Sequence, residues 1–188
     1  LFSPSNKTAR IATIESWNEA APIEATAGDS VGVTLDEQLF VERGDVISHI
    51  ERAPVESDVF RARLFWLPRV AMEVGSRYTM KLHTAEFQVT VQSIEKVIDS
   101  TSLDSGSGTS VPQNAVAEVV LRADRLLALD SYTTCPMTGR FVLVHDYQIV
   151  GGGNLSMEGY PDQRAMVGVK STNITAVDHT IDTEERAR

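Results

Sequence analysis

Ala85-Glu86-Phe87-Gln88-Val89-Thr90-Val91-Gln92-Ser93-Ile94-Glu95-Lys96-Val97-Ile98 is the stretch that decides the fold. Phe87, Val89 and Val91 alternate with polar residues, the period of two that sends one row of side chains into a core and the other into water. At Ser93 the phase breaks and Ile94 resumes the apolar row, which predicts a bulge or bend of the kind that curves a barrel strand. Shorter runs of the same kind surround it, over residues 59–66, 78–82, 115–121, 126–129, 139–144 and 149–153. Short strands at close spacing, with no helical stripe between them, predict an all-β barrel or sandwich over a βαβ architecture, and the region reads as a β-barrel. Residues 68–75 and the Ser-, Gly-, Thr- and Asp-rich residues 99–114 read as loops, the second of them mobile.

Before residue 53 the pattern is thinner. Residues 7–14 alternate with no clear apolar face. Ala27-Gly28-Asp29-Ser30 is turn chemistry ahead of Val31-Gly32-Val33-Thr34-Leu35, and Val41-Glu42-Arg43-Gly44-Asp45-Val46-Ile47 sets a Gly-Asp turn directly before another strand. Three such strands make only part of a barrel, and unpaired strand edges recruit partners. Residues 7–50 are therefore expected either to pack heavily on the second barrel or to pair between chains. Ala53-Pro54-Val55-Glu56-Ser57 reads as a connector, because proline lacks a ladder donor and biases its predecessor toward extended geometry. The division expected is a partial barrel over 1–53, a complete barrel over 57–155 and a linker over 156–188. In that linker Gly159-Tyr160-Pro161-Asp162 is a turn, and Asp182-Thr183-Glu184-Glu185 has the cap and first-turn charge of a short helix. A start at Leu1 and an end on Glu184-Glu185-Arg186-Ala187-Arg188 suggest a piece of a longer protein.

The balance of 26 acidic against 17 basic residues leaves a net charge of -9, and such a field repels phosphate backbones, which argues against general nucleic-acid binding. No apolar run reaches the roughly 20 residues of a membrane helix. Cys135 is the single cysteine, so no internal disulfide forms, and no charged-then-apolar leader opens the sequence. A reducing cytoplasm is the expected location. Without a leader, the glycosylation triplets at Asn6, Asn154 and Asn173 read as coincidence.

Several residues merit a chemical reading and each has a plainer one. Gly151-Gly152-Gly153 follows a strand, yet no Lys-Ser/Thr follows it, so close strand packing is expected in place of a phosphate cradle. His49, His83, His145 and His179 are too widely spaced to pair as metal ligands, and His145 and Asp146 are expected on opposite faces of a strand. Cys135 has only Thr133, Thr134, Pro136 and Met137 beside it, with nothing local expected to lower its pKa. Trp17, Phe65 and Trp66 read as core or contact residues, since the acidic balance opposes a base-stacking platform. No catalytic, cofactor-binding or metal-binding residue is assigned.

Three stretches together carry a resemblance. Lys81-Leu82-His83-Thr84-Ala85-Glu86, then Cys135-Pro136-Met137-Thr138-Gly139-Arg140-Phe141-Val142-Leu143, then Ile149-Val150-Gly151-Gly152-Gly153 are similar to the third domain of the elongation-factor-Tu-like GTPases. There a Gly-Arg-Phe strand precedes a final strand with a glycine-rich ending. Val41 to Ile47 resembles the Ile-x-Arg-Gly-Asp-Val that closes the second domain. Phe65-Trp66 with Gly75-Ser76-Arg77-Tyr78 is similar to one branch, the large GTP-binding subunit of bacterial sulfate adenylyltransferase. Asn173-Ile174, His179, Ile181 and Glu185-Arg186 resemble the lead-in to an adenylylsulfate kinase, as in the bifunctional form.

What the resemblance implies is a non-catalytic barrel region over residues 7–155 that scaffolds a GTPase domain and contacts the small catalytic subunit. The whole protein would couple GTP hydrolysis to formation of adenylyl sulfate from ATP and sulfate, with GTP, ATP and Mg expected there and no cofactor in this region. No membrane partner is implied, and open barrel edges offer a homo-oligomer contact. Two other readings stand beside it: a tRNA-holding barrel pair of a translation factor, which the charge opposes, and a generic β-barrel interaction module.

Overall fold

The computed structural model describes residues 1–17, 20–99, 105–106 and 108–167. Four short strands come first, β1 (Phe2–Ser3), β2 (Ile11–Glu15), β3 (Gly32–Leu35) and β4 (Val46–Ile47), followed by a 3-10 turn at Ile50–Arg52. The larger unit contains β5 (Val55–Trp66), β6 (Met72–Glu73), β7 (Arg77–Leu82), β8 (Ala85–Ile98), β9 (Ser105–Gly106), β10 (Ser110–Val111), β11 (Val116–Leu129), β12 (Arg140–His145) and β13 (Gln148–Ser156). A single turn of helix, α1 (Arg164–Val167), follows. Antiparallel ladders run β5–β13–β12–β7–β8–β11, and β11 returns to β5. Six strands thus close on themselves, which satisfies every ladder edge internally.

The alternation read from the sequence becomes rows around the barrel wall. Trp66, Gly151, Leu143, Met80 and Phe87 are register partners from strand to strand, as are Leu64, Gly153, Phe141, Leu82 and Ala85. Both rows point inward, and Leu64, Met80 and Leu143 are essentially free of solvent contact. A six-stranded barrel has a narrow interior, so large residues in a row need small neighbours. Gly151 and Gly153 supply that room. A Cβ at Gly153 would lie 2.0 Å from the Arg63 carbonyl oxygen and 2.7 Å from Leu64 Cα, which are backbone atoms that cannot step aside.

The phase break in β8 is where it was expected. Against β11, the pairing skips a residue on each side of Ser93, between Lys96 and Ile94 and between Ser93 and Val91. Residues 115–121 and 126–129, read as two strands, are one strand in β11. Its pairing with β5 slips between Arg122 and Leu127, because the charged pair Asp124-Arg125 bulges outward while the backbone continues. The loop expected over 99–114 contains ladder pairs: β9 joins the end of β8, and β10 pairs with β6, burying Val111. The connector expected over 53–57 is shorter, since Val55 and Glu56 already pair with Leu129 and Ala128.

The first four strands form two separate two-stranded pieces, β1–β4 and β2–β3. Among the described residues from 4 to 53, none is buried. Phe2 and Ser3 of β1 are buried, but ribbons whose remaining residues are all at least partly wet have little apolar burial to hold them. Residues 7–50 therefore do not pack heavily on the barrel, contrary to one branch of the expectation. The short helix expected at Asp182 lies outside the described residues.

Replacing Gly153 by Ala is expected to cost about 3 kcal/mol through overpacking of backbone, read as a lowered urea midpoint. Gly106, where a Cβ meets nothing within 4 Å, should tolerate Ala to within about 0.5 kcal/mol. Equal midpoints for the two variants would refute this packing account.

Candidate functional site

Each residue with a chemical reading now has a place. Gly151 to Gly153 lie inside the closed ladder between β5 and β12, with their amides committed to strand pairing. They do not fit a phosphate group. His83, in a left-handed turn at φ 53, is exposed and has Nε2 2.5 Å from the Thr138 carbonyl oxygen. His49 is exposed before the 3-10 turn. His145 and Asp146 were expected on opposite faces but meet at 3.6 Å. The reason is the turn at Asp146 and Tyr147, whose φ values of 47 and 62 end strand geometry and curl the carboxylate back. His179 lies outside the described residues, and among those described no three His, Cys, Asp or Glu side chains gather to hold a metal.

Cys135 also departs from its reading. Hydrogen bonding from the Thr138 side chain and backbone holds its thiol below the usual range, against a small opposing effect of burial. Thr138 lies three residues on, and the hairpin that ends at Gly139 folds it back over the cysteine. Trp66 is core, with its indole N–H donating to the Val70 carbonyl at 2.9 Å and its ring edge-on to Tyr78. Burial pushes the Tyr78 hydroxyl up. Phe65 faces outward and is only partly covered, and Trp17 is 89% exposed, so Trp17 belongs to no core. Of the glycosylation triplets, Asn6 has its amide donating to Glu56, Asn154 lies within β13, and Asn173 lies outside the described residues.

No sequence pattern announces the seam in which Glu56 is 0% exposed. One carboxylate oxygen accepts from the Asn6 side-chain amide at 2.9 Å. The other lies 3.2 Å from Arg164 Nε but off the N–H axis, so that contact is Coulombic attraction without a hydrogen bond. Arg164 Nη2 donates to the Pro54 carbonyl, and the Gln163 amide donates to the Glu56 carbonyl. Three distant parts of the chain thus meet on one strand end. A second tie lies at Gly44, whose φ of +104 lets the Arg43 turn press against Ala85 while Arg43 Nε donates to the Thr84 carbonyl.

Two apolar surfaces remain in water. Ile11, Leu35, Ile47 and Ile50, beside the buried Phe2, line a groove of about 720 Å³ on the first segment. On the barrel wall, Phe65, Gly152, Val142 and Lys81 form one outward row, and beyond it Val144, Ile149 and Tyr147 line a trough of about 620 Å³. Tyr147 and Ile149 are fully and mostly exposed. An arrangement of this kind, a filled barrel with greasy flanks, is suited to holding other protein.

The fold defines the class, a β-barrel domain of the kind carried by translation-type GTPases. Residues 59–156 match the family described as GTP-eEF1A C-terminal domain-like, and the chain belongs to that family. It is 31% identical to the bifunctional enzyme NodQ of Azospirillum brasilense over 98% of this chain and 28% of that protein. It is 34% identical to sulfate adenylyltransferase subunit 1 of Agrobacterium fabrum over 70% of this chain and 27% of that protein. With the subunit 1 of Laribacter hongkongensis the identity is 28%, over 75% of this chain and 29% of the relative. The chain thus spans under a third of the length of these relatives. A crystal structure of sup35 complexed with GDP shares the fold, with a TM-score of 0.74 and 18% identity over 82% of this chain and 39% of that one. No helix among the described residues is long and apolar enough to cross a membrane.

Glu56→Gln is expected to destabilise the chain by about 2 kcal/mol, since it leaves Arg164 facing a neutral amide in a buried site. Trypsin should then cut residues 1–53 and the segment after residue 162 faster together. Acceleration at only one of the two would show that Glu56 does not join them.

Proposed function

We propose that this chain is the non-catalytic barrel region of the GTP-binding subunit of a sulfate adenylyltransferase, and that its apolar flanks contact the small catalytic subunit. The observation that carries this reading is that Phe65 on one outward row, and Tyr147 and Ile149 in the trough beside it, stay exposed on a barrel already filled by its own side chains, in a chain similar to sulfate adenylyltransferase subunit 1. In the whole protein, GTP hydrolysis would be coupled to formation of adenylyl sulfate from ATP and sulfate. GTP, ATP and Mg would be held by parts outside these barrels, including a GTPase domain and, in a bifunctional protein, an adenylylsulfate kinase. On this reading residues 1–53 are part of one barrel, 57–155 a complete barrel and 156–188 a linker, within a cytoplasmic enzyme.

Calorimetry with the small subunit of one of the relatives should show saturable binding, and Tyr147→Asp with Ile149→Glu should weaken it about a hundredfold, the scale of losing central apolar anchors. Failure to bind, or retention of tRNA at moderate salt instead, would overturn the reading. The open edges of β2 and β3 should also let the isolated chain self-associate. Light scattering showing a strict monomer across the accessible concentration range would remove that contact.

A further inference from the structure

Arg43, Lys81, His83 and Arg125 come from separate parts of the chain, yet together with Thr84, Ala85 and Glu86 they line one cleft of about 330 Å³. On a chain of net charge -9, three permanent cations against one carboxylate make this a local reversal of the surface. Both guanidinium groups are already oriented. Arg43 Nε donates to the Thr84 carbonyl at 3.1 Å, Arg125 Nη2 donates to the Glu86 carbonyl at 2.6 Å, and Arg125 lies over the Phe87 ring. Elsewhere among the described residues, Arg61, Arg63, Arg122 and Arg164 lie within 3.2 Å of a carboxylate. Among the described residues Arg43 and Arg125 are in no such ion pair, as is also true of Arg10, Arg52, Arg69, Arg77 and Arg140, but these two share one cleft, and each fork keeps donors that carbonyl partners have not neutralised.

Three acids stand nearby and equal the cations in number, but only Glu86 lines the same cleft. Glu86 lies 3.3 Å from Lys81, and Glu42 and Asp45 line the adjoining cleft beside Arg43 and Arg125. The Asp45 carboxylate accepts from the Glu42 amide. His83 directs Nε2 to the Thr138 carbonyl, so that nitrogen carries a proton and the ring is held at the rim.

We propose that this cleft binds a tetrahedral oxyanion, sulfate or phosphate, as the free ion or as the terminal phosphoryl group of a nucleotide. The planar forks match such oxygens bidentately. The ion would bridge Arg43 on the first segment to Lys81 and Arg125 on the barrel, relieving their mutual repulsion and clamping the Glu42–Asp45 turn to the turn between β7 and β8. Lys81 and Glu86 also border the trough on the barrel wall, so the ion is titrated with no small subunit present.

The full chain is titrated at low ionic strength with sodium phosphate, sodium sulfate and metal-free ADP, with sodium chloride at matched ionic strength as control. Calorimetry and amide NMR should report one saturable site, with shifts at residues 43–45, 83–86 and 125. Arg125→Gln should weaken phosphate binding about tenfold, the scale of one charge-assisted hydrogen bond. Lys81→Gln, at a half-exposed side chain outside the core, should weaken it as well and serves if Arg125→Gln fails to fold. Arg140→Gln, a cation outside the cleft, should leave binding unchanged. ADP binding much tighter than phosphate identifies the phosphoryl group as the source, and equal binding identifies the free ion. A response that chloride reproduces, or unchanged affinity in both cleft variants, would overturn the proposal.

Discussion

Closure of the ladder from β11 back to β5 is the constraint on which everything else in this molecule rests. Once six strands close, their inward rows share a narrow space, and that space admits Trp66, Phe141 and Phe87 only because Gly151 and Gly153 stand between them. The same closure leaves no interior room for a ligand and no free backbone for a phosphate. Chemistry is thereby pushed to the outside wall and to the seams. The bulges follow from this geometry: a strand as long as β8 or β11 must bend to stay on so tight a cylinder, and it does so where Ser93 and Asp124-Arg125 interrupt the apolar row.

The first segment obeys a different balance. Its two ribbons bury almost nothing, so their position depends on a few polar ties: Asn6 to Glu56, Arg43 to the Thr84 carbonyl, and the close approach of Gly44 to Ala85. Polar ties of this kind are worth little in water and more when buried, which makes the fully buried Glu56 the strongest of them. Because Glu56 also faces Arg164, the placement of the first segment and the path of the chain after the barrel are linked through one side chain.

Much of this was legible beforehand. Phe87, Val89 and Val91 announce their inward row by period alone, and the phase break at Ser93 announces the bulge. The glycine run was legible as a packing device because nothing after it suits a phosphate. Other features were not legible, because they depend on turn geometry or on distance in sequence. Thr138 reaches Cys135 only after a turn folds back. Asp146 meets His145 because two consecutive residues adopt positive φ, which a strand pattern does not foresee. The cleft of Arg43, Lys81, His83 and Arg125 unites residues up to eighty positions apart, brought together by a bulge in β11 and a turn at Gly44.

The sequence by itself therefore determined the class of the fold and the inward faces of its strands, because alternation and turn chemistry act between near neighbours. The tertiary structure alone decided which strands pair, which charges are buried and which converge. Those outcomes depend on long-range closure of the barrel, and register across a ladder is a property of two strands together that neither strand carries alone.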